Sequence, residues 1–197
     1  MGRRGRVRCR ERSVTNRRYL KFNYTGNIFE DRIQNYPHGH GIAYYKDGTV
    51  YEGEFDFGKR HGYGKITYND GSTYEGIFID DTRNGYGTYQ CRCGCIYTGS
   101  YINNCRSGDG SYKDPFGNIF KGKFDNNLKN GVGTFTYQKD GSQLSGYWKD
   151  DTLDNSENII YKTKDGIYSG TWFIEEKILE GEYKCFNGSA IISSWTW

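Results

Sequence analysis

The chain has few of the residues from which most soluble domains build a core. Its 197 residues include only 1 methionine, and its aliphatic residues are too scarce to fill a deep interior. Proline, which interrupts strands and helices, occurs only 2 times. No apolar run approaches the ~20 residues that a membrane-spanning helix needs, and no long stretch has helical periodicity. These absences argue against a helical bundle and against a helical membrane protein.

Sequence patterns typical of enzymes are missing as well. The chain has no Gly-x-Ser-x-Gly elbow, no phosphate-binding loop and no His-Glu-x-x-His motif. His38 and His61 each precede a glycine at corresponding places in the sequence, which favours a role in turns. Glu52, Glu54 and Glu75 alternate with apolar residues or glycine, as on the solvated face of a strand. We therefore predict a protein that is not an enzyme and has no catalytic residues and no cofactor.

Glycine and aromatic residues are abundant instead, with 28 glycines, 19 tyrosines, 11 phenylalanines and 4 tryptophans. Both recur at a step of 23 residues. Such a period indicates repeats that bury apolar surface only against their neighbours and usually offer a surface rather than a catalytic pocket. The glycine pairs are Gly39-x-Gly41, Gly62-x-Gly64, Gly85-x-Gly87, Gly108-x-Gly110 and Gly131-x-Gly133, and the aromatic-x-Gly triplets begin at Tyr51, Tyr74, Tyr97 and Phe120.

The alternation within each repeat predicts a β-hairpin. In residues 51–55, aromatic residues and glycine alternate with acids, which is the two-residue period of a strand. Residues 62–68 form the second strand, a loop over residues 56–61 joins the two, and Asp70-Gly71 turns the chain into the next repeat. Glycine at the centre of the first strand leaves a hollow on the aromatic face, and we expect a neighbouring ring to lie across it.

This pattern resembles the MORN repeat (membrane occupation and recognition nexus). The resemblance is carried by Tyr51-Glu52-Gly53-Glu54-Phe55, then Gly58, His61-Gly62-Tyr63-Gly64, Tyr68 and Asp70-Gly71. It covers residues 22 to about 188, with about five clear units and two degenerate ones. It implies an all-β fold in which stacked 23-residue hairpins form an elongated, curved, single-layer antiparallel sheet.

The chain then divides into a basic arm at residues 1–18, predicted to be disordered, a repeat array at 19–188, and a C-terminal tail or cap at 189–197. The arm carries one acid, Glu11, against eight arginines, and this charge density suits an anionic lipid surface, nucleic acid or an acidic partner. Of these partners, we do not expect nucleic acid. A solvated tail or a basic leader is the alternative reading. The arginines are Arg3, Arg4, Arg6, Arg8, Arg10, Arg12, Arg17 and Arg18.

The repeated aromatic residues give the candidate partner-binding surface. We predict that they line a groove along the sheet, in which a peptide, a helix of a partner or a second copy of the chain lies. The resemblance implies roles at membranes and cytoskeletal structures, through protein contacts or self-association, and also phosphoinositide binding. The predicted groove residues are Tyr51, Phe55, Tyr74, Phe78, Tyr97, Tyr101, Phe120 and Phe124.

The six cysteines do not match the spacing of a metal site. Cys91, Cys93 and Cys95 lie closer together than the pairs that zinc prefers, and the repeat register places Cys105 at the opposite end of a hairpin. No secretory feature accompanies them, which favours reduced thiols. We predict no metal site and a cytoplasmic location, at the membrane or cytoskeleton periphery.

Three functions stay open at this point. The first is a non-enzymatic scaffold that binds protein partners or itself through the aromatic groove. The second is a peripheral membrane tether that binds anionic lipids through the arginine-rich arm. The third is a regulatory subunit of a catalytic partner chain, because similar repeats precede SET-domain lysine methyltransferase and lipid-kinase domains. None of the three requires a small-molecule substrate.

Overall fold

The computed structural model describes residues 10–18, 22–30, 35–154, 158–173, 178–186 and 194–196. These residues form 17 β-strands and no helix. The chain divides into two compact units, Met1–Arg92 (unit 1) and Cys93–Trp197 (unit 2). The predicted all-β class, with antiparallel hairpins as its building block, is confirmed.

In unit 1 every strand pairs antiparallel with the next one in sequence, so that six successive pairings build the sheet. The strands are β1 Arg10–Arg18, β2 Phe22–Glu30, β3 Asn35–Tyr45, β4 Val50–Asp56, β5 Lys59–Thr67, β6 Thr73–Ile79 and β7 Thr82–Gln90.

Unit 2 follows the same plan with one interruption, because β12 pairs both with the two-residue strand β13 and with β14. Apart from β13 and β14, each of the other neighbours in sequence pairs antiparallel. The strands are β8 Ile96–Ile102, β9 Cys105–Lys113, β10 Ile119–Asp125, β11 Leu128–Thr136, β12 Gln143–Lys149, β13 Thr152–Leu153, β14 Ile159–Lys162, β15 Gly166–Phe173, β16 Ile178–Cys185 and β17 Ser194–Thr196.

Part of the basic arm is a strand, which corrects the prediction of disorder up to residue 18. β1 pairs along β2, with Arg12 opposite Ile28 and Val14 opposite Gly26. The pairing uses main-chain groups, which an arginine-rich segment supplies as well as any other. Residues 1–9, which include four of the predicted arginines, lie outside the described residues. At the other end of the chain, β17 adds part of the predicted tail to β16.

The hairpin loop is shorter than the predicted loop at residues 56–61. Only Phe57 and Gly58 lie between β4 and β5, with φ of 43° and 83°. Two central residues with positive φ make the type I′ turn, whose twist matches that of the flanking strands. The equivalent turns use residues that tolerate this conformation, namely Asp80-Asp81, Asn103-Asn104, Asn126-Asn127 and Asp150-Asp151.

The two glycines of each pair meet different requirements. Gly62 has φ of 63°, close to the point where the register between β4 and β5 shifts. Gly64 lies opposite Gly53 and beneath the ring of Tyr51 on the neighbouring strand. A Cβ atom built on Gly64 would be 2.6 Å from the ring carbons of Tyr51. A ring thus lies across a glycine hollow, but the hollow is at Gly64 of the second strand and the ring comes from the first strand, whereas we predicted a neighbouring strand's ring over Gly53.

The units that the sequence marks as degenerate keep the hairpin pairing. β15 and β16 place Gly170 opposite Gly181, and a Cβ on Gly181 would be 2.8 Å from the hydroxyl of Tyr168. In the preceding unit Leu153 fills the space beside Gly146, with its Cδ1 atom 2.9 Å from a Cβ built there. Hairpin pairing therefore extends through β16, beyond the point where the sequence pattern fades.

Candidate functional site

All the side chains that were predicted to line the aromatic groove are buried. Their exposed fractions lie between 0% and 4%, so a partner would reach them only through other side chains. We call the side of the sheet that carries them and the glycine pairs the glycine face. The structure corrects the prediction of an open groove, because all eight predicted residues belong to the buried core: Tyr51, Phe55, Tyr74, Phe78, Tyr97, Tyr101, Phe120 and Phe124.

These rings are brought together edge to face within each unit. In unit 1 the ring centroid of Tyr51 is 5.0 Å from that of Phe55 and 5.2 Å from that of Phe78. In unit 2 the centroid of Tyr97 is 5.0 Å from that of Phe124. Edge-to-face pairs at such distances contribute about 0.5–1.5 kcal/mol each beyond their burial. The rings therefore hold neighbouring hairpins together.

The tyrosine hydroxyls have a structural role at the register shift of each hairpin. Tyr51 donates a hydrogen bond to the main-chain oxygen of Glu54, with an O···O distance of 2.8 Å. Tyr74 and Tyr97 do the same to the oxygen three residues further on, at 3.1 Å. Burial raises the pKa of Tyr74 to about 12, so this hydroxyl stays a donor at physiological pH. The bond satisfies a carbonyl beside the irregular pairing of the ladder.

Removing this hydroxyl from one unit should lower the free energy of unfolding, and adding it to another unit should raise it. We expect Tyr51→Phe to lower the free energy of unfolding by about 1 kcal/mol, because the carbonyl of Glu54 loses its donor. Phe120 occupies the same repeat position without a hydroxyl, so Phe120→Tyr should raise stability. Urea denaturation of both variants checks this, and equal effects of the same sign would contradict it.

Cationic side chains lie across the buried rings. The guanidinium carbon of Arg60 is 5.3 Å from the centroid of Phe78, and that of Arg106 is 5.4 Å from the centroid of Phe124. Arg60 also holds the next turn, since its Nε atom is 3.0 Å from Oδ1 of Asp81. Each cation thereby covers a ring and ties one hairpin to the following turn.

These cations follow a signal that the sequence reasoning missed. They recur at the 23-residue step, two positions before four of the five glycine pairs: Arg60, Arg83, Arg106 and Lys129. A lysine can also cover a ring, because the Nζ atom of Lys129 lies 5.0 Å from the centroid of Trp148. The contact therefore needs a long cationic side chain but not a guanidinium group. The repeated step alone was enough to find them.

The opposite side of each sheet, which we call the outer face, exposes apolar side chains. The residue between the two glycines of a pair points there, because it alternates with them along the strand. At this position the exposed fractions are 54% for Tyr63, 63% for Tyr86 and 69% for Val132. In unit 2 Val132 lies opposite Tyr147, which is 40% exposed. The accessible apolar surface of the strands is therefore on the outer face.

Two other predicted groups, the arginines of the arm and the cysteines, lie elsewhere in the sequence. Strand β1 contains Arg10, Arg12, Arg17 and Arg18. The suggested role of these arginines at an anionic surface stays a prediction. In unit 2 the Sγ atoms of Cys93 and Cys95 are 3.7 Å apart in the turn before β8. The last cysteine of the predicted set, at position 105, begins β9 at the other end of that hairpin, as the register led us to expect.

Four segments of the chain match the family model of the MORN repeat, at residues 33–50, 51–73, 74–95 and 120–142. The chain is a MORN repeat protein. Between the last two matches of this MORN protein, β8 and β9 repeat the same contacts, with Gly99 opposite Gly110 and the hydroxyl of Tyr97 bonded to the main chain of Ser100. The geometry of the repeat therefore continues where the sequence match lapses.

Two solved structures are similar to the MORN protein in fold. The TCP10c domain of Drosophila melanogaster Sas-4 is 12% identical, with a TM-score of 0.49 over 92% of this chain and 95% of that domain. The TCP domain of Sas-4 in complex with a proline-rich motif of Ana2 is also 12% identical, with a TM-score of 0.44 over 79% of this chain and 84% of that one. Likenesses of this size carry no argument about function.

No curated protein sequence matches this MORN protein. Among the residues that the structure describes, none belongs to a helix with the length and apolar character to cross a bilayer.

Proposed function

We propose that this MORN repeat protein is a non-enzymatic scaffold that binds a protein partner on the outer face of its hairpins. The observation that carries the proposal is the contrast between the two faces. The glycine face buries its rings almost completely, whereas the outer face leaves Tyr63 and Tyr86 more than half exposed at the same repeat position. Tyrosine is enriched in protein interfaces because it combines a large apolar ring with a polar tip.

The outer face of unit 1 also has the polar surroundings of an interface. Tyr63 donates a hydrogen bond to Oε1 of Glu75, with an O···O distance of 2.5 Å, and Ile77 lies opposite Tyr63 on the next strand. A partner that covers these side chains buries apolar area and meets a polar rim, which is the usual composition of a protein interface. Nothing in this arrangement brings together the acid, base and nucleophile of an enzyme site.

Photo-crosslinking from single positions tests which face meets the partner. With benzoylphenylalanine in place of Tyr86, in cells that make the protein, we expect one dominant protein adduct. The same group in place of Phe116 is the matched control, because Phe116 is 83% exposed but lies in a turn. Once the adduct is identified, Tyr86→Ser should weaken binding of the purified partner by about 30-fold, the size of an interface hot spot.

Other outcomes would point elsewhere. Adducts from Phe116 equal to those from Tyr86 would contradict a specific outer-face site. Adducts only from a probe in place of Tyr68, which follows β5 and continues the alternation of Gly64 and Ile66 on the glycine face, would return the binding site to that face. The tether and regulatory-subunit hypotheses stay predictions, and the arginine-rich sequence of residues 1–18 is the observation that favours the tether.

A further inference from the structure

The outer faces of the two units carry opposite charge. In the paired rows of β3 to β7, unit 1 has three exposed acids, Glu52, Glu54 and Glu75. Next to the turn, a fourth acid, Asp56, stands opposite Lys59. In the described rows that contain the three glutamates, Lys65 is the only lysine or arginine. It lies opposite both Glu52 and Glu75, and its Nζ atom is 3.8 Å from Oε2 of Glu75. This part of the surface is therefore negative.

The same rows of unit 2 are positive. From β8 to β14 they carry five exposed lysines, Lys113, Lys121, Lys123, Lys149 and Lys162. The acids in these rows of described residues are Asp109 and, next to the turn, Asp125, and Nζ of Lys123 bonds to Oδ2 of Asp109 at 2.8 Å. Among these lysines, Lys113, Lys121 and Lys162 have no acid at the strand positions paired with them.

Each charged face also has an apolar centre. In unit 1 it consists of Tyr63 and Tyr86, and in unit 2 it consists of Val132, Tyr147 and Ile160, all at least 40% exposed. An apolar centre with a charged rim is the organisation of a protein interface, in which the rim selects the partner. The two rims are complementary to each other.

We propose that the partner of the unit 1 outer face is the unit 2 outer face of a second copy of the chain. This inference rests on the proposed function, because it uses the same face of unit 1. Contact between two unit 1 faces would set glutamates against glutamates, and contact between two unit 2 faces would set lysines against lysines. Contact between unlike units pairs the charges and buries the apolar centres against each other.

Charge reversal on purified full-length protein tests the proposal. We expect sedimentation velocity to show concentration-dependent association that weakens as salt is raised. The variant Glu52→Lys/Glu54→Lys should raise the dissociation constant by at least about tenfold, and Lys121→Glu/Lys162→Glu should do the same. All four positions are exposed, and matching thermal unfolding curves would show that the variants fold.

The decisive experiment mixes the two charge-reversal variants. The first variant has two positive faces and the second has two negative faces, so an equimolar mixture should associate although neither variant does so alone. A chain that carries all four substitutions should regain self-association. A monomer at every concentration, or an oligomer that neither reversal weakens, would overturn the proposal.

These outcomes separate the proposal from the function on which it rests. Adducts between Tyr86 probes and a different protein, from a chain that stays monomeric, would reject the second copy as occupant and keep the scaffold. Adducts of the chain with itself that disappear in either charge-reversal variant would support both. Association without any adduct from Tyr86 would reject the outer face of unit 1 as the contact surface.

Discussion

Replacing Gly64 by alanine should lower the free energy of unfolding by about 3 kcal/mol, the upper end of what overpacking usually costs. The added methyl group would lie 2.6 Å from the ring carbons of Tyr51 and cannot fit unless that ring moves. The ring is fully buried and packs against Phe55 and Phe78, so its displacement disturbs two neighbouring hairpins. A urea titration followed by intrinsic fluorescence measures the change.

Gly71→Ala is the matched control for this substitution. Gly71 has φ of 86°, and a Cβ atom there would meet nothing within 4 Å. Its replacement therefore introduces only backbone strain, of about 1–2 kcal/mol. If Gly64→Ala cost no more than Gly71→Ala, close packing of ring on glycine would not be the reason for the second glycine of the pair.

Truncation of Phe124 should cost about 3–5 kcal/mol, as for other buried phenylalanines. Its ring contacts those of Tyr97 and Phe120, with centroid distances of 5.0 and 5.4 Å, and the guanidinium of Arg106 lies over it. Phe124→Ala leaves a cavity that three neighbours line. The loss appears as a lower denaturation midpoint.

Phe116→Ala removes the same atoms from a turn where the side chain is 83% exposed, and it should change stability by less than about 0.5 kcal/mol. Equal losses from Phe116 and Phe124 would mean that the rings of the glycine face do not form the core. This pair of variants also tests the correction to the predicted groove, because a groove residue that only binds a partner would be tolerant of truncation.

The sequence was sufficient to predict the hairpins but not the accessibility of their rings. Alternation and the 23-residue step specify which residues share a face, and Tyr51, Gly53 and Phe55 lie together as expected. Exposure depends on what covers that face. In this protein a ring of the next hairpin and a side chain such as Arg60 cover it. The covering ring, Phe78, is about one repeat away from Tyr51 in sequence.

The basic arm and the hairpin turns show two other limits of prediction from the sequence. The charge of residues 10–18 predicted disorder, yet main-chain pairing with β2 is insensitive to side-chain charge. The loop at residues 56–61 was predicted too long, because a phenylalanine with φ of 43°, as at Phe57, is unusual in a two-residue turn, whereas the asparagine and aspartate turns follow known preferences. Contacts of Phe57 with Phe29 and His38, at centroid distances of 5.1 and 5.8 Å, accompany the exception.

The regular glycine pairing of the hairpins has a consequence for folding. Gly41 pairs with Gly53, and Gly64 pairs with Gly76, so a strand displaced by one whole repeat would meet a partner of nearly the same pattern. Such out-of-step pairings are close competitors of the native one and act as kinetic traps. Features that differ between repeats, such as the Phe57 turn, then favour the native pairing of each strand over a pairing displaced by one repeat.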